Sequence, residues 1–284
     1  MESPVFIVGP PRSGTTLLQR LLVEEFRLSA IPETHFYSLL QDKLSYENHL
    51  FTITADQVRS NAGIELSQLI LTGSTRREVF ENYLDELISL YDRVNRKENT
   101  QILEKTPGHA FCISEILKDY PKARIIALIR DPRESILSAS SLFYSHLTKT
   151  AALENSIDYW KKCANSCADQ SKKNLYLVRY EDLVHDPEEA ISQIASWASL
   201  SARIEKPQLS DIKISITTAV ESWKNQSFKS ITKTNMRTLS FRQIVHCYYI
   251  DYTTINERML FGYRRAWILE ILYQFLSWLK APRH

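Results

Sequence analysis

The stretch PVFIVGPPRSGTTLLQRLL, residues 4–22, decides the fold of this chain. Residues 4–8 form a short apolar run rich in β-branched side chains, which predicts a buried strand. Thr15 opens a segment with the apolar spacing of an amphipathic helix, and Gly9 and Gly14 punctuate the turn between them. Because the first backbone N–H groups of a helix have no intrahelical partner, this arrangement predicts a binding site for an anion.

The turn has the glycine spacing of a nucleotide-triphosphate P-loop, GxxxxGK[ST], but Thr15 stands where that motif has its lysine. The positive charge comes earlier, at Arg12. The P-loop lysine bridges the β- and γ-phosphates, so its loss weakens the case for ATP or GTP. PPRSGTT resembles instead the 5′-phosphosulfate loop of sulfotransferases, which use 3′-phosphoadenosine 5′-phosphosulfate (PAPS). The alternative is a chance Gly/Pro turn. The resemblance implies that the donor is held by Arg12, Ser13, Gly14, Thr15 and Thr16.

The composition is ordinary for a soluble globular protein, with 44% hydrophobic and 24% charged residues in a chain of 284. A net charge of +2 argues against a nucleic-acid binder that works by bulk electrostatics. The four cysteines lack a CxxC pair, so neither a zinc site nor a disulfide framework is expected. No secretory signal or anchor fits before the first apolar run, and we expect a cytoplasmic protein.

Short apolar runs alternate with helical patterns along the chain. Strands are predicted at 4–8, 28–31, 101–104, 123–129 and 175–178. The run ARIIALI is almost continuously apolar, as the strands of parallel sheets are. The spacing predicts one α/β domain: a P-loop-like parallel sheet of about five strands with helices on both faces. We expect this domain to span residues 1–284, with 200–284 as its mostly helical C-terminal part.

The clearest helix is predicted at residues 75–96, which Thr75 and Glu78 open as a capping box. The preceding region, 45–73, is ambiguous. Further helical pieces are expected at 34–44, 56–61 and 66–71.

Charged residues follow the predicted strands at their carboxyl ends. They are Arg12, Glu33, Lys105, Arg130 and Arg179. Each alone could be a surface charge or a helix cap. Since ligands of parallel sheets gather outside the carboxyl ends of the strands, their convergence on one edge predicts a binding site there.

Arg130 leaves the predicted strand 123–129 beside a new helix, in which Asp131 is expected as the N-cap and Pro132 as the first helical residue. The segment IIALIRDPRESILS resembles the 3′-phosphate-binding segment of sulfotransferases. This resemblance implies that Arg130 and Ser138 hold the 3′-phosphate of the donor. The alternative is that the Asp-Pro pair only caps the helix and that Arg130 pairs with a neighbouring carboxylate.

Three further segments extend the resemblance over nearly the whole chain. They are EKTP at 104–107, RYEDL at 179–183 and FGY at 261–263. The resemblance implies that Tyr180 and Lys233 also bind the nucleotide. Ser227, in the same polar stretch as Lys233, is a weaker candidate for contact with the sulfonate.

Sulfuryl transfer needs a base for the acceptor hydroxyl and cations for the charge that develops on the transferred group. The resemblance implies that Arg12 and Lys105 are the cations. Cytosolic sulfotransferases place a histidine two residues after the lysine, where this chain has Pro107. The segment PET at 32–34 resembles instead the protein-tyrosine sulfotransferase-like branch, in which a glutamate is the base. Glu33 is therefore the predicted base, with a pKa raised by burial; the alternative bases are His35 and His109.

The function predicted from the sequence is sulfuryl transfer from PAPS to a hydroxyl of a small molecule, lipid, sugar or peptide. The expected product is adenosine 3′,5′-bisphosphate (PAP), and no metal is expected. The alternatives are a P-loop-type small-molecule kinase and a non-catalytic nucleotide-binding protein. The apolar segment 264–280 is interpreted as core packing, with a dimerisation helix or a membrane-surface anchor as alternatives.

Overall fold

The computed structural model describes residues 3–40, 51–62, 70–95, 100–168, 173–218 and 224. The strands in these ranges are β1 (Val5–Val8), β2 (Leu28–Ala30), β3 (Phe51–Thr54), β4 (Ile70–Gly73), β5 (Gln101–Lys105), β6 (Arg124–Ile129) and β7 (Leu175–Arg179). The helices are α1 (Thr15–Glu25), α2 (Phe36–Leu40), α3 (Ala55–Ala62), α4 (Arg76–Tyr91), α5 (Ile113–Asp119), α6 (Pro132–Phe143), α7 (Lys149–Ala168), α8 (Tyr180–His185), α9 (Pro187–Ala198) and α10 (Leu209–Ile216). A 3-10 helix covers Pro107–Cys112.

Five strands form one parallel sheet in the order β2-β5-β1-β6-β7. The prediction of a five-stranded parallel sheet is therefore confirmed, and each of its strands lies where the sequence placed it. The first strand is the central one: Val5 pairs with Leu103 on one side and with Arg124 on the other. As a result, the turn after β1 lies between the ends of β5 and β6, from which Lys105 and Arg130 emerge.

Both faces of the sheet are covered, as predicted. Side chains alternate along a strand, so Phe6 and Val8 pack into the core on one face, whereas Val5 and Ile7 pack into the core on the other. All four are completely buried. Burial of side chains of this size stabilises a fold by roughly 1.5–3 kcal/mol each, so β1 is anchored firmly from both sides. This anchoring fixes the position of the loop that follows.

One helical prediction is wrong. Residues 70–71 of the expected helix 66–71 belong to β4, which pairs with β3 as a small antiparallel sheet. Ile70 is 67% exposed and Leu71 is 6% exposed, which is the alternation of a strand. A short apolar run does not by itself distinguish a strand from a helix, and pairing with β3 decides the outcome.

Helix α4 begins as predicted and ends five residues early. The capping box is present, since Thr75 and Glu78 each accept the backbone N–H of the other. At the far end, Oδ1 of Asp92 accepts the N–H groups of Val94 and Asn95. An aspartate that bonds to the backbone in this way competes with the helix and turns the chain out of it.

Two smaller predictions about helices are confirmed. The helical piece at 56–61 is α3, and Asp131 caps α6 with Pro132 as its first residue. The cysteines of the described residues are free and buried: Cys112, Cys163 and Cys167. The predictions for Cys247, for 261–263 and for 264–280 lie outside the described residues, so the helical C-terminal part stays a prediction. Among the helices described, none has both the length and the apolar character that crossing a membrane requires.

Candidate active site

The loop after β1 is shaped by two glycines with positive φ angles. Gly9 has a φ of 146°, and a Cβ atom there would lie 2.3 Å from the carbonyl oxygen of Leu128. Gly14 has a φ of 93° and precedes α1, and its Cβ would lie 2.5 Å from the ring of Tyr180. Other residues adopt such angles only with strain, so glycine is required at both positions. Arg12, between them, also has a left-handed backbone, with a φ of 66°.

Arg12 lies against the two residues that were predicted to bind the 3′-phosphate. Its Nε donates a hydrogen bond to Oγ of Ser138 over 2.9 Å, and Nη1 of Arg130 donates to its backbone carbonyl over 3.3 Å. Burial and the positive charge of Arg130 lower the pKa of Arg12. Within the described residues Arg12 has no carboxylate in ion-pair distance. This corner of the sheet edge therefore carries positive charge that an anion would neutralise.

Arg130 is held from two sides. Its Nη2 pairs with Glu134 over 3.1 Å, as the alternative interpretation of this segment expected. Its guanidinium also lies over the ring of Tyr180, 4.5 Å from the ring centroid. That same ring packs on Gly14, so Tyr180 connects the loop with Arg130. Nε of Arg130 is buried and has no hydrogen-bond partner among the described residues, which leaves one donor in this corner for a ligand.

The remaining predicted loop residues line the start of α1. Ser13, Thr15 and Thr16 are all buried. The Ser13 hydroxyl has no hydrogen-bond partner in the described part of the chain. The Thr16 hydroxyl lies 3.4 Å from Nζ of Lys105, which is completely buried at the end of β5. Lys105 is thus directed at the N-terminus of α1, where an anion is favoured.

Glu33 lies at the same edge and is surrounded by cations. Its Oε1 is 2.5 Å from Nζ of Lys105 and 2.8 Å from Nζ of Lys224, and its Oε2 is 3.3 Å from Nε2 of His35. The expected rise of its pKa is wrong. Burial by itself raises the pKa of Glu33, but the two ammonium groups and the histidine outweigh burial and hold this pKa well below its ordinary value of 4.5.

A second buried carboxylate, Glu104, fixes the backbone that presents Glu33. Its Oε1 accepts from the backbone N–H and the hydroxyl of Thr34 and from the hydroxyl of Thr106. Its Oε2 lies 3.0 Å from Nδ1 of His109. Nε2 of His109 accepts the backbone N–H of Tyr37 over 3.3 Å, so Nδ1 carries the ring proton. Both ring nitrogens of His109 therefore serve the fold.

The other sequence candidates divide into three groups. His35 contacts Glu33, so it belongs to the site. Arg179 turns to Asp182, 3.6 Å away. Lys233 and Ser227 lie outside the described residues. No cluster of His, Cys, Asp and Glu side chains that could hold a metal ion occurs in the ranges the structure describes.

The sequence interpretation missed two residues of this site. Lys224 lies in the polar stretch 223–235, and its charge was the only signal that could have singled it out there. Glu104 was named only as part of EKTP at 104–107, one of the segments that extend the resemblance to sulfotransferases. Its signal was a charged residue inside a predicted strand of a parallel sheet, where a charge is rare unless it has a partner.

The family comparison agrees with this geometry. A profile described as "Sulfotransferase family" matches residues 4–203, which include both loop glycines, Glu33, Lys105, Arg130 and Ser138. The chain belongs to the sulfotransferase family. A solved structure with a similar fold, a mouse sulfotransferase complexed with PAP, aligns with a TM-score of 0.52 at 14% identity. The alignment covers 94% of this chain and 90% of the mouse chain.

Two curated relatives are also similar to this sulfotransferase-family chain. The omega-hydroxy-beta-dihydromenaquinone-9 sulfotransferase Stf3 of Mycobacterium bovis is 24% identical over 233 residues, which cover 66% of this chain and 60% of that protein. The nodulation protein NoeE of Sinorhizobium fredii is 27% identical over 213 residues, which cover 66% of this chain and 48% of that protein. The chain thus spans about half the length of these curated relatives.

Proposed function

We propose that this chain transfers a sulfuryl group from PAPS to a hydroxyl group of an acceptor. The observation that carries the proposal is the juxtaposition of two charged groups at one sheet edge. Arg12, Arg130 and Ser138 form a positive corner, and Glu33 with its two lysines forms a carboxylate cluster beside the start of α1. Sulfuryl transfer uses both, because it needs an anion site and a base.

The positive corner suits the phosphates of the donor. The 3′-phosphate would bind to Arg130 and Ser138, and the phosphosulfate would bind to the loop from Arg12 to Thr16, at the start of α1. Tyr180, which packs on both Gly14 and Arg130, offers an aromatic surface beside these groups. The mouse sulfotransferase with the similar fold is a complex with PAP, and we carry that ligand to this chain as part of the proposal. Lys233 stays a prediction for the same nucleotide.

In the proposed reaction the acceptor hydroxyl attacks sulfur in line with the bond to the leaving phosphate. The S–O bond to the phosphate breaks, and its electron pair stays on PAP. The hydroxyl proton goes to the Glu33 carboxylate. Arg12 and Lys105 stabilise the negative charge that gathers on the leaving phosphate and on the sulfuryl oxygens. The cations make a metal ion unnecessary in this proposal.

The low pKa of Glu33 suits the role of general base in one respect and opposes it in another. It keeps the carboxylate ionised, which a base requires. A carboxylate with so low a pKa is also a weak base, so its proton affinity must rise during the reaction. His35, 3.3 Å from the other oxygen, is the group to which Glu33 could pass the proton afterwards.

We propose a hydroxyl compound as the acceptor without naming it. The name of the Mycobacterium bovis relative describes a hydroxylated menaquinone, which makes lipid alcohols the first class to examine.

We also place the protein in the cytoplasm, where thiols stay reduced. The support is the cysteine pattern of the sequence, in which neither a CxxC pair nor a disulfide framework is present.

Calorimetry with PAP and with AMP tests the nucleotide assignment without an acceptor. A charge-assisted hydrogen bond is worth roughly 1.5–3 kcal/mol, so PAP should bind at least about tenfold more tightly than AMP. Equal affinities would contradict the assignment.

Transfer of sulfur-35 from PAPS to a panel of lipid alcohols, phenols, sugars and tyrosine peptides then tests the reaction. We expect transfer to persist in EDTA.

The same assay separates the proposal from the kinase alternative. A kinase would use ATP and would lose activity when EDTA removes Mg²⁺. A non-catalytic nucleotide-binding protein would bind PAP and transfer sulfur-35 to no member of the panel. Transfer to any alcohol in the presence of EDTA excludes both alternatives.

A further inference from the structure

Lys224 contacts the same carboxylate oxygen as Lys105. Its Nζ lies 2.8 Å from Oε1 of Glu33, and the Nζ of Lys105 lies 2.5 Å from that atom. The two ammonium nitrogens therefore lie close together, because both contact the same oxygen. Both side chains are buried, with 5% and 0% of their surfaces exposed. Lys224 is therefore as much a part of the site as Lys105, although it lies beyond residues 4–203, which the family profile matches.

Two ammonium groups of this cluster share a single carboxylate oxygen. An anion that binds beside them is favoured, because buried positive charge is stabilised by negative charge close to it. The Thr16 hydroxyl, 3.4 Å from Lys105, places that anion at the start of α1, beside the loop proposed for the phosphosulfate.

We propose that Lys224 is a catalytic residue that binds the oxygens of the transferring sulfuryl group together with Lys105. The inference rests on the proposed function and adds a third cation to the same site. As the S–O bond to the phosphate breaks and the S–O bond to the acceptor forms, Lys224 stabilises the charge on the sulfuryl oxygens. It keeps its own proton, and the proton of the acceptor hydroxyl goes to Glu33.

This position of Lys224 also explains how the proton affinity of Glu33 can rise during the reaction. While both ammonium groups face Oε1, the carboxylate binds a proton weakly. Once sulfuryl oxygens share these ammonium groups, less of their positive charge acts on Glu33, and the carboxylate accepts a proton more readily. Lys224 thereby couples binding of the donor to the basicity of Glu33.

Calorimetry with PAPS and with PAP tests the inference on the full chain. The two nucleotides differ in the sulfuryl group, so Lys224→Met should weaken PAPS binding about tenfold or more and leave PAP binding within about threefold. Lys224→Arg should restore most of the PAPS affinity. The matched control is Lys213→Met, an exposed lysine on α10, which should change neither affinity. Equal effects of Lys224→Met on both nucleotides would overturn the inference.

A second background separates contact with the sulfuryl group from neutralisation of Glu33. In Glu33→Gln there is no carboxylate charge to neutralise. If Lys224 binds the sulfuryl group, adding Lys224→Met to Glu33→Gln still weakens PAPS binding relative to PAP. If the loss disappears in this background, Lys224 acts only through Glu33 and the inference is wrong. Failure of the unmodified protein to bind PAPS and PAP would instead reject the proposed function.

Discussion

The positive corner around Arg12 and the carboxylate cluster around Glu33 lie at the same sheet edge but differ in their electrostatic balance. In the corner, burial and Arg130 lower the pKa of Arg12, which means that its charge lacks compensation. In the cluster, lysines and a histidine hold the pKa of Glu33 low, which means that its charge is amply compensated. A positive charge without compensation favours the binding of an anionic ligand. A carboxylate that cations already compensate becomes more basic only when a ligand takes up part of their charge.

This contrast suggests a division of work between binding and chemistry. Changes in the corner should lower donor affinity, stabilisation of the transition state or both, because the proposal places the anionic groups of the donor against Arg12 and Arg130. Changes in the cluster should lower turnover with little effect on PAP affinity, because the proposal places Glu33 beside the sulfuryl group, which PAP lacks. The variants below test whether the two regions separate in this way.

The largest effect is expected for Glu33→Gln, which removes the proposed base. Turnover with PAPS should fall about 10²–10⁴-fold, the usual contribution of general-base catalysis. PAP affinity, measured by calorimetry, should stay unchanged, and the exposed Glu188→Gln on α9 serves as the control. Full turnover in Glu33→Gln together with a loss in His35→Ala would transfer the role of base to the histidine.

The next effect is expected for Arg12→Ala, in the corner. Loss of one preorganised donor to developing charge typically costs about 10²–10³ in turnover, and we expect a fall of this size. Arg12→Lys should retain part of the rate, because lysine supplies the charge but not the fork of guanidinium donors. Sulfur-35 transfer measures both variants. Equal rates for Arg12→Ala and the unmodified protein would remove Arg12 from the reaction.

Arg130→Ala should affect affinity more than turnover. The preference for PAP over AMP should fall by about tenfold or more, since the 3′-phosphate loses a charge-assisted contact. AMP binding should hardly change. The exposed Arg77→Ala on α4 is the matched control for loss of a positive charge. A preference that survives in Arg130→Ala would place the 3′-phosphate elsewhere.

A smaller effect, on stability alone, is expected for His109→Ala. This histidine is buried and bonded at both nitrogens, and its loss removes the partner of Oε2 of Glu104 and of the Tyr37 N–H. A buried group left unsatisfied costs about 1–3 kcal/mol. Thermal unfolding should therefore occur several degrees lower, whereas the partly exposed His35→Ala should unfold near the normal temperature. An unchanged Tm with lost turnover would restore His109 as a candidate base.

The smallest effect is expected from pH. The kcat/KM profile reports groups of the free enzyme, and Glu33 has a pKa well below 4.5 there. A depressed pKa keeps the carboxylate ionised, so Glu33 should cause no loss of kcat/KM as pH falls from 8 to 5. An acidic limb in this range that disappears in His35→Gln would belong to His35. A limb that persists in His35→Gln would indicate that the pKa of Glu33 is raised.

Local sequence patterns determined most of the sheet. A run such as ARIIALI is too apolar to be anything but a buried element, and Gly9 and Gly14 mark the turn because their backbone angles exclude other residues. These features depend on neighbours along the chain, and a sequence displays such neighbours directly. The strand β4 was missed because its pattern is short and its partner β3 is separated in sequence.

The sequence also determined which side chains the candidate site contains at its core, since strand ends identify the edge where Arg12, Glu33, Lys105 and Arg130 meet. Only the tertiary structure decided their electrostatic state. Whether the pKa of Glu33 rises or falls depends on how many cations reach it, and one of them, Lys224, is nearly two hundred residues away along the chain. Burial and charge act in opposite directions on a carboxylate, so the balance follows from distances in space, which residue spacing does not give.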